Sequence, residues 1–128
     1  MRYTFKAAIL NKLNSPLIID NVRFNDQLYA GQVFVKLHYS GICGSQLGEI
    51  QGVKGKDNYL PHLLGHEGSG QVVAVGDAVT KVSVGDLVIL GWIKCKGENV
   101  SGAKYNFGEK YINSGPVTTF STYSVVSE

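Results

Sequence analysis

The chain has 128 residues, 44% of them hydrophobic and 17% charged, with a formal net charge of +2; a chain of this length forms about one domain and buries roughly two-thirds of its unfolded surface, so one real core is expected and disorder is a poor reading. Lysines and arginines are scattered from Arg2 to Lys110 without forming a run, which argues against nucleic acid or an anionic membrane as partner. There is no secretory h-region and no membrane-length apolar stretch, so a cytoplasmic protein is expected, in which Cys43 and Cys95 stay reduced.

Residues 3–10, YTFKAAIL, alternate polar and apolar side chains and read as a strand; residues 15–24, SPLIIDNVRF, read as a second, opened by Pro16 and closed by the polar NDQ turn. Residues 31–43, GQVFVKLHYSGIC, continue the pattern, with Val33, Val35, Leu37 and Tyr39 on one face and Gln32, Phe34, Lys36 and His38 on the other. Residues 44–50, GSQLGEI, suit about two turns of helix with Ser45 as N-cap. SGQVVAVGDAV and VGDLVILGW are consecutive strands with Gly-Asp turns. Residues 93–116 are a polar excursion with a hairpin expected around YNFGEKYI, and VTTFSTYSVVS closes the chain as a strand. Short strands and sixteen glycines without a long amphipathic helix predict a mainly β barrel or sandwich.

Two places offer chemistry. Cys43 ends a β run between Gly41 and Gly44, which suits either a small buried hydrophobe or a soft metal ligand that a partner can approach closely. His66 and Glu67 sit in LPHLLGHEGSG, flanked by glycines at the entry to a strand; they are either a solvent-facing turn pair or side chains presented to a site. His38, in a strand, and His62, after Pro61 in a loop, are expected in surface or satisfied roles. Cys95 has no cysteine at the two-to-four-residue spacing of a structural zinc module. Ser45 lacks a GxSxG context, and no GxGxxG or P-loop occurs, so a dinucleotide has no home in this chain.

Together, SGICGSQLGEIQG and LPHLLGHEGSGQVVAVGDAVTKVSVGDLVI resemble the N-terminal catalytic domain of zinc-dependent medium-chain alcohol dehydrogenases, and TFSTYSVV is similar to that domain's last segment. The linked Gly-Ile-Cys-Gly, Gly-His-Glu-x-x-Gly and Gly-Asp-x-Val pattern is far more specific than any one piece. The resemblance implies a mainly β, GroES-like, partly open barrel with short helices over residues 1–128, and a nicotinamide-binding Rossmann domain beyond them that would supply NAD or NADP. It implies one catalytic zinc on Cys43 and His66, with the third ligand either a cysteine further on or, in the manner of polyol and sugar dehydrogenases, Glu67, and it implies Ser45 in a proton relay. Zinc would polarise the oxygen of a small alcohol, polyol or sugar for hydride transfer.

Two departures from the family pattern stand out. Gln46 occupies a position where an aspartate commonly orients the ligating imidazole. The four-cysteine lobe is missing, so no structural zinc is expected. Exposed strand edges would permit a homo-oligomer. The alternative from another class is a barrel that has kept its fold and serves as a binding or assembly module without catalysis.

Overall fold

The computed structural model describes residues 1–94 and 96–128; Cys95, on which the expectation of no structural zinc partly turns, lies outside them. The elements in chain order are β1 (Tyr3–Leu10), β2 (Ile18–Phe24), β3 (Gln32–Ser40), α1 (Gly44–Gln51), β4 (His62–Leu63), β5 (Gly68–Val75), β6 (Leu87–Leu90), β7 (Tyr105–Phe107), β8 (Lys110–Ile112) and β9 (Tyr123–Ser127). They form a five-stranded sheet in the order β4-β1-β2-β7-β8 and a four-stranded sheet in the order β6-β5-β3-β9.

Alternation in β1 sends Phe5, Ala7 and Ile9 inward and leaves Thr4 and Lys6 exposed, the period of two that a half-buried strand demands. It pairs antiparallel with β2 from Tyr3↔Phe24 to Ile9↔Ile18. In β3 the two faces enter different cores. Phe34 joins Phe5, Phe24 and Tyr105, whereas Val33 and Val35 pack with Val72 and Leu90. Phe34 stacks on Phe24 at 5.8 Å and on Tyr123 at 5.1 Å between ring centroids.

The sheets are joined by residues 120–122, whose backbone bonds β1 on one side and β3 on the other. Ala8 N–H donates to Phe120 O at 2.7 Å, Thr122 N–H to Lys6 O at 2.9 Å, and Leu37 N–H to Thr122 O at 2.9 Å. Sharing this connector curls the two sheets around the aromatic core into a partly open barrel, as the strand count and glycine corners predict.

Several boundaries differ from the sequence reading. The second strand begins at Ile18, two residues after Pro16, and the third stops at Ser40, so Gly41 to Cys43 form the approach to the helix. The closing strand is only Tyr123–Ser127, because residues 120–122 are spent bridging the sheets. His62 lies on a strand, β4, whose pairing with β1 places Leu10 opposite His62. Two residues are too few for alternation to reveal. The hairpin expected around residues 105–112 is β7 and β8, with Tyr105 opposite Ile112.

Candidate functional site

Cys43 is itself the N-cap of α1, with φ −98° and ψ 152°; Ser45, the sequence candidate for that role, is inside the helix. The reason is reciprocal bonding. The Gln46 side chain accepts from the Cys43 N–H, and the Gln46 backbone N–H, which faces the Cys43 side chain, makes its hydrogen bond to Cys43 O at 3.0 Å, closing a capping box. The Gln46 Oε1 to Cys43 N distance is 2.8 Å. The Ser45 hydroxyl and backbone N–H also donate to the sulfur, and these hydrogen bonds hold the Cys43 thiol below its usual range, against desolvation and the nearby negative charge of Glu67.

His66 is delivered by a tight crossing. Leu64 O accepts from Thr119 N–H at 3.0 Å and from Phe120 N–H at 3.1 Å, and Gly65 at φ +93° turns the chain toward α1. Gln46, 1% exposed, then meets the imidazole, with Nε2 3.0 Å from His66 Nδ1 and 3.2 Å from Ser45 Oγ. One buried amide therefore touches the backbone of Cys43, the hydroxyl of Ser45 and the ring of His66. Trp92 stands edge-on to that ring at 6.4 Å.

Glu67 is exposed. Its carboxylate lies over Gly41, where an added Cβ would come within 2.5 Å of Oε1, and its backbone carbonyl accepts from Gly41 N–H at 3.0 Å. His38 is exposed on β3. His62 is buried, with Nε2 2.7 Å from Asp57 Oδ2 and Nδ1 2.9 Å from Leu63 O. Asp57 is held below the ordinary carboxylate range although desolvation opposes this, because it accepts from Tyr59 N–H and His62.

Ser45, Gln46, His66 and Trp92 line one side of a cleft of about 930 Å³, with Leu64, Val117 and Thr118 contributing to its walls; that is room for a small ligand. Among the described residues, no three His, Cys, Asp or Glu side chains converge closely enough to hold a metal ion. The chemistry of the donor pair nevertheless suits zinc: a thiol biased toward thiolate by hydrogen bonds, and an imidazole held through the same glutamine. Gln46 as a residue shared by both was not evident from motif spacing. Its signal was the capping-box pattern, with a cysteine in place of serine or threonine and glutamine at the third helical position.

The lowered Cys43 thiol gives a direct prediction. In metal-free protein carrying Cys95→Ser, alkylation of Cys43 by iodoacetamide should rise with a midpoint at lower pH than in the same protein unfolded in urea, where the thiol has its ordinary value. Ser45→Ala should move that midpoint up by removing the largest stabilising bond. A midpoint at or above the free-thiol value would refute the donor arrangement.

Comparison with known proteins gives consistent relatives. The family described as alcohol dehydrogenase GroES-like domain matches residues 29–128. The chain is 33% identical over 128 residues to D-arabinose 1-dehydrogenase (NADP(+)) of Saccharolobus solfataricus, covering 94% of this chain and 36% of that protein. It is 36% identical over 86 residues to alcohol dehydrogenase class-3 of Dictyostelium discoideum, covering 67% of this chain and 22% of that protein. The chain thus spans about a third or less of these relatives. The benzyl alcohol dehydrogenase structure from Acinetobacter calcoaceticus superposes with TM-score 0.75 at 26% identity, over 98% of this chain and 39% of that one. An alcohol dehydrogenase zinc-binding domain protein from Burkholderia ambifaria shares the fold with TM-score 0.85 at 21% identity, over 100% of this chain and 41% of that one.

Proposed function

The chain belongs to the alcohol dehydrogenase GroES-like domain family, and on that premise we propose that it is the metal- and substrate-binding part of an NAD(P)-linked dehydrogenase acting on a small alcohol, polyol or sugar. The observation that carries the reading is the joining of Cys43 and His66 through buried Gln46 beside an open cleft. The names of the relatives, an NADP(+)-linked arabinose dehydrogenase and an alcohol dehydrogenase, support the substrate class.

Cys43 and His66 would hold a zinc ion in this proposal, and Glu67, whose charge reaches Cys43 and whose carboxylate rests over Gly41, would be the third ligand. A zinc ion there supplies a Lewis acid that polarises the substrate oxygen. Ser45 Oγ, which accepts from Gln46 Nε2, would receive the proton of the substrate hydroxyl as its own hydrogen leaves the Cys43 sulfur for the solvent that reaches this exposed side chain. Leu64 and Val117 give the cleft apolar surface against the carbon skeleton, and Trp92, edge-on to the His66 ring, extends that wall. The nicotinamide is supplied by a second domain.

Metal analysis tests this. Protein purified with excess zinc and then desalted should retain roughly one equivalent, and Cys43→Ala and His66→Ala should each retain far less, since a catalytic site rests on about three protein ligands. Less than about a tenth of an equivalent in the parent protein would end the proposal.

A further inference from the structure

We infer that Gln46 holds His66 in the tautomer that carries its hydrogen on Nε2, so that zinc binds only when the glutamine amide turns over. The inference rests on the proposed zinc site and adds a positioning residue to it.

The orientation of the amide is fixed by a group that cannot change sides. A backbone N–H only donates, so the Gln46 atom 2.8 Å from Cys43 N is the carbonyl oxygen. The amide nitrogen must then face His66 Nδ1 at 3.0 Å and Ser45 Oγ at 3.2 Å. Its two hydrogens match these two acceptors, which leaves the amide with every polar atom partnered. Donation into Nδ1 requires a lone pair there, and a neutral imidazole with a lone pair on Nδ1 carries its hydrogen on Nε2. Nε2 is the nitrogen left over for a metal, and a metal needs its lone pair.

Moving the hydrogen to Nδ1 sets an N–H against the N–H of the amide. Rotating the amide repairs that contact but points its nitrogen at the Cys43 N–H, breaking the cap on the residue that supplies the thiolate. Ser45 can follow the rotation, because a hydroxyl both donates and accepts, but only by withdrawing the hydrogen it gives to the Cys43 sulfur. Gln46 is 1% exposed, so water does not replace what is lost. A carboxylate at this position meets no such conflict, since both of its oxygens accept, one from Cys43 N–H and one from His66 Nδ1–H.

The test uses the isosteric variant Gln46→Glu with two readouts. In the metal-free wild type, ¹⁵N chemical shifts of His66 should report hydrogen on Nε2, and in Gln46→Glu hydrogen on Nδ1. Competition with a zinc chelator should show the variant binding zinc about 10- to 100-fold more tightly, the usual scale for a group that orients a ligating imidazole. A wild-type ring carrying its hydrogen on Nδ1 overturns the inference even if the variant does not fold. Tighter binding with an unchanged ring signal also overturns it, because added negative charge alone would then account for the gain. If neither protein takes up zinc, the dehydrogenase reading fails, while the ring signals still decide the role of Gln46.

Discussion

Gly65→Ala is expected to destabilise the protein by about 4 kcal/mol, a combination of strained backbone at positive φ and overpacking, each on the order of 1–3 kcal/mol. Gly65 sits at φ +93°, where a side chain is rarely tolerated. A Cβ there would run into Thr119 Oγ1 and come within 2.8 Å of Phe120 Cδ1 and 2.9 Å of the Thr119 backbone nitrogen. The hydroxyl could rotate away, but the backbone nitrogen cannot, because Thr119 N–H is bonded to Leu64 O. The same crossing leads into the connector that ties the two sheets together, so relief at Gly65 is transmitted to the barrel seam.

Against a total stability on the order of 5–15 kcal/mol, the loss at Gly65 is a large fraction. Urea denaturation should show the midpoint collapsing, and the thermal midpoint should fall by more than about 10 °C. Gly44→Ala is the matched control, because an added Cβ there meets nothing within 4 Å and the position opens a helix. It should be neutral or slightly stabilising, by up to about 1 kcal/mol. A Gly65→Ala protein as stable as Gly44→Ala would show that the crossing is not built as described.

This glycine shows what a sequence does and does not disclose. GHEGSG reads as a sharp turn presenting two side chains, and the turn is there. The backbone approach of residues 119 and 120 that makes glycine obligatory comes from a segment more than fifty positions away, and no local pattern encodes it. Strand β1 was legible because it alternates from Thr4 to Ile9 between solvent and core, and the first half of β3 because Val33 and Val35 enter one core and Phe34 the other. β4 was not, because its two residues gain strand geometry only from pairing with β1.

Cys43 and His66 stood out only jointly, through a family pattern; taken alone, a cysteine between glycines and a turn histidine have ordinary explanations. Gln46 was visible as an odd amide where a carboxylate is usual, but its consequence depends on which atom faces which neighbour. That is information about direction, and it requires the Cys43 N–H to be placed. Glu67 carries the converse lesson. Although adjacent in sequence, the two side chains go different ways, that of His66 to Gln46 and that of Glu67 over Gly41.

If the full-length protein is the dehydrogenase proposed above, Cys43→Ala and His66→Ala should each lower kcat/KM by about a thousandfold or more. A Lewis acid contributes several kcal/mol of transition-state stabilisation, and roughly 4 kcal/mol corresponds to three factors of ten. Ser45→Ala should cost less, about a hundredfold, the lower end of what a positioned proton carrier supplies. It should also leave zinc content unchanged, since Ser45 is offered as no ligand. Folding does not confound the result at Cys43, which is only half-buried and whose loss as a cap costs about 1 kcal/mol. Cys43→Ala should therefore melt near the parent while losing metal and turnover together, whereas His66→Ala, which leaves the buried Gln46 amide short of an acceptor, should lose them with a lowered melting point. Should both retain full turnover, the barrel would be acting as a binding or assembly module, and the pairing of Cys43 with His66 through Gln46 would be a means of anchoring α1 to the loop before β5 rather than a device for chemistry.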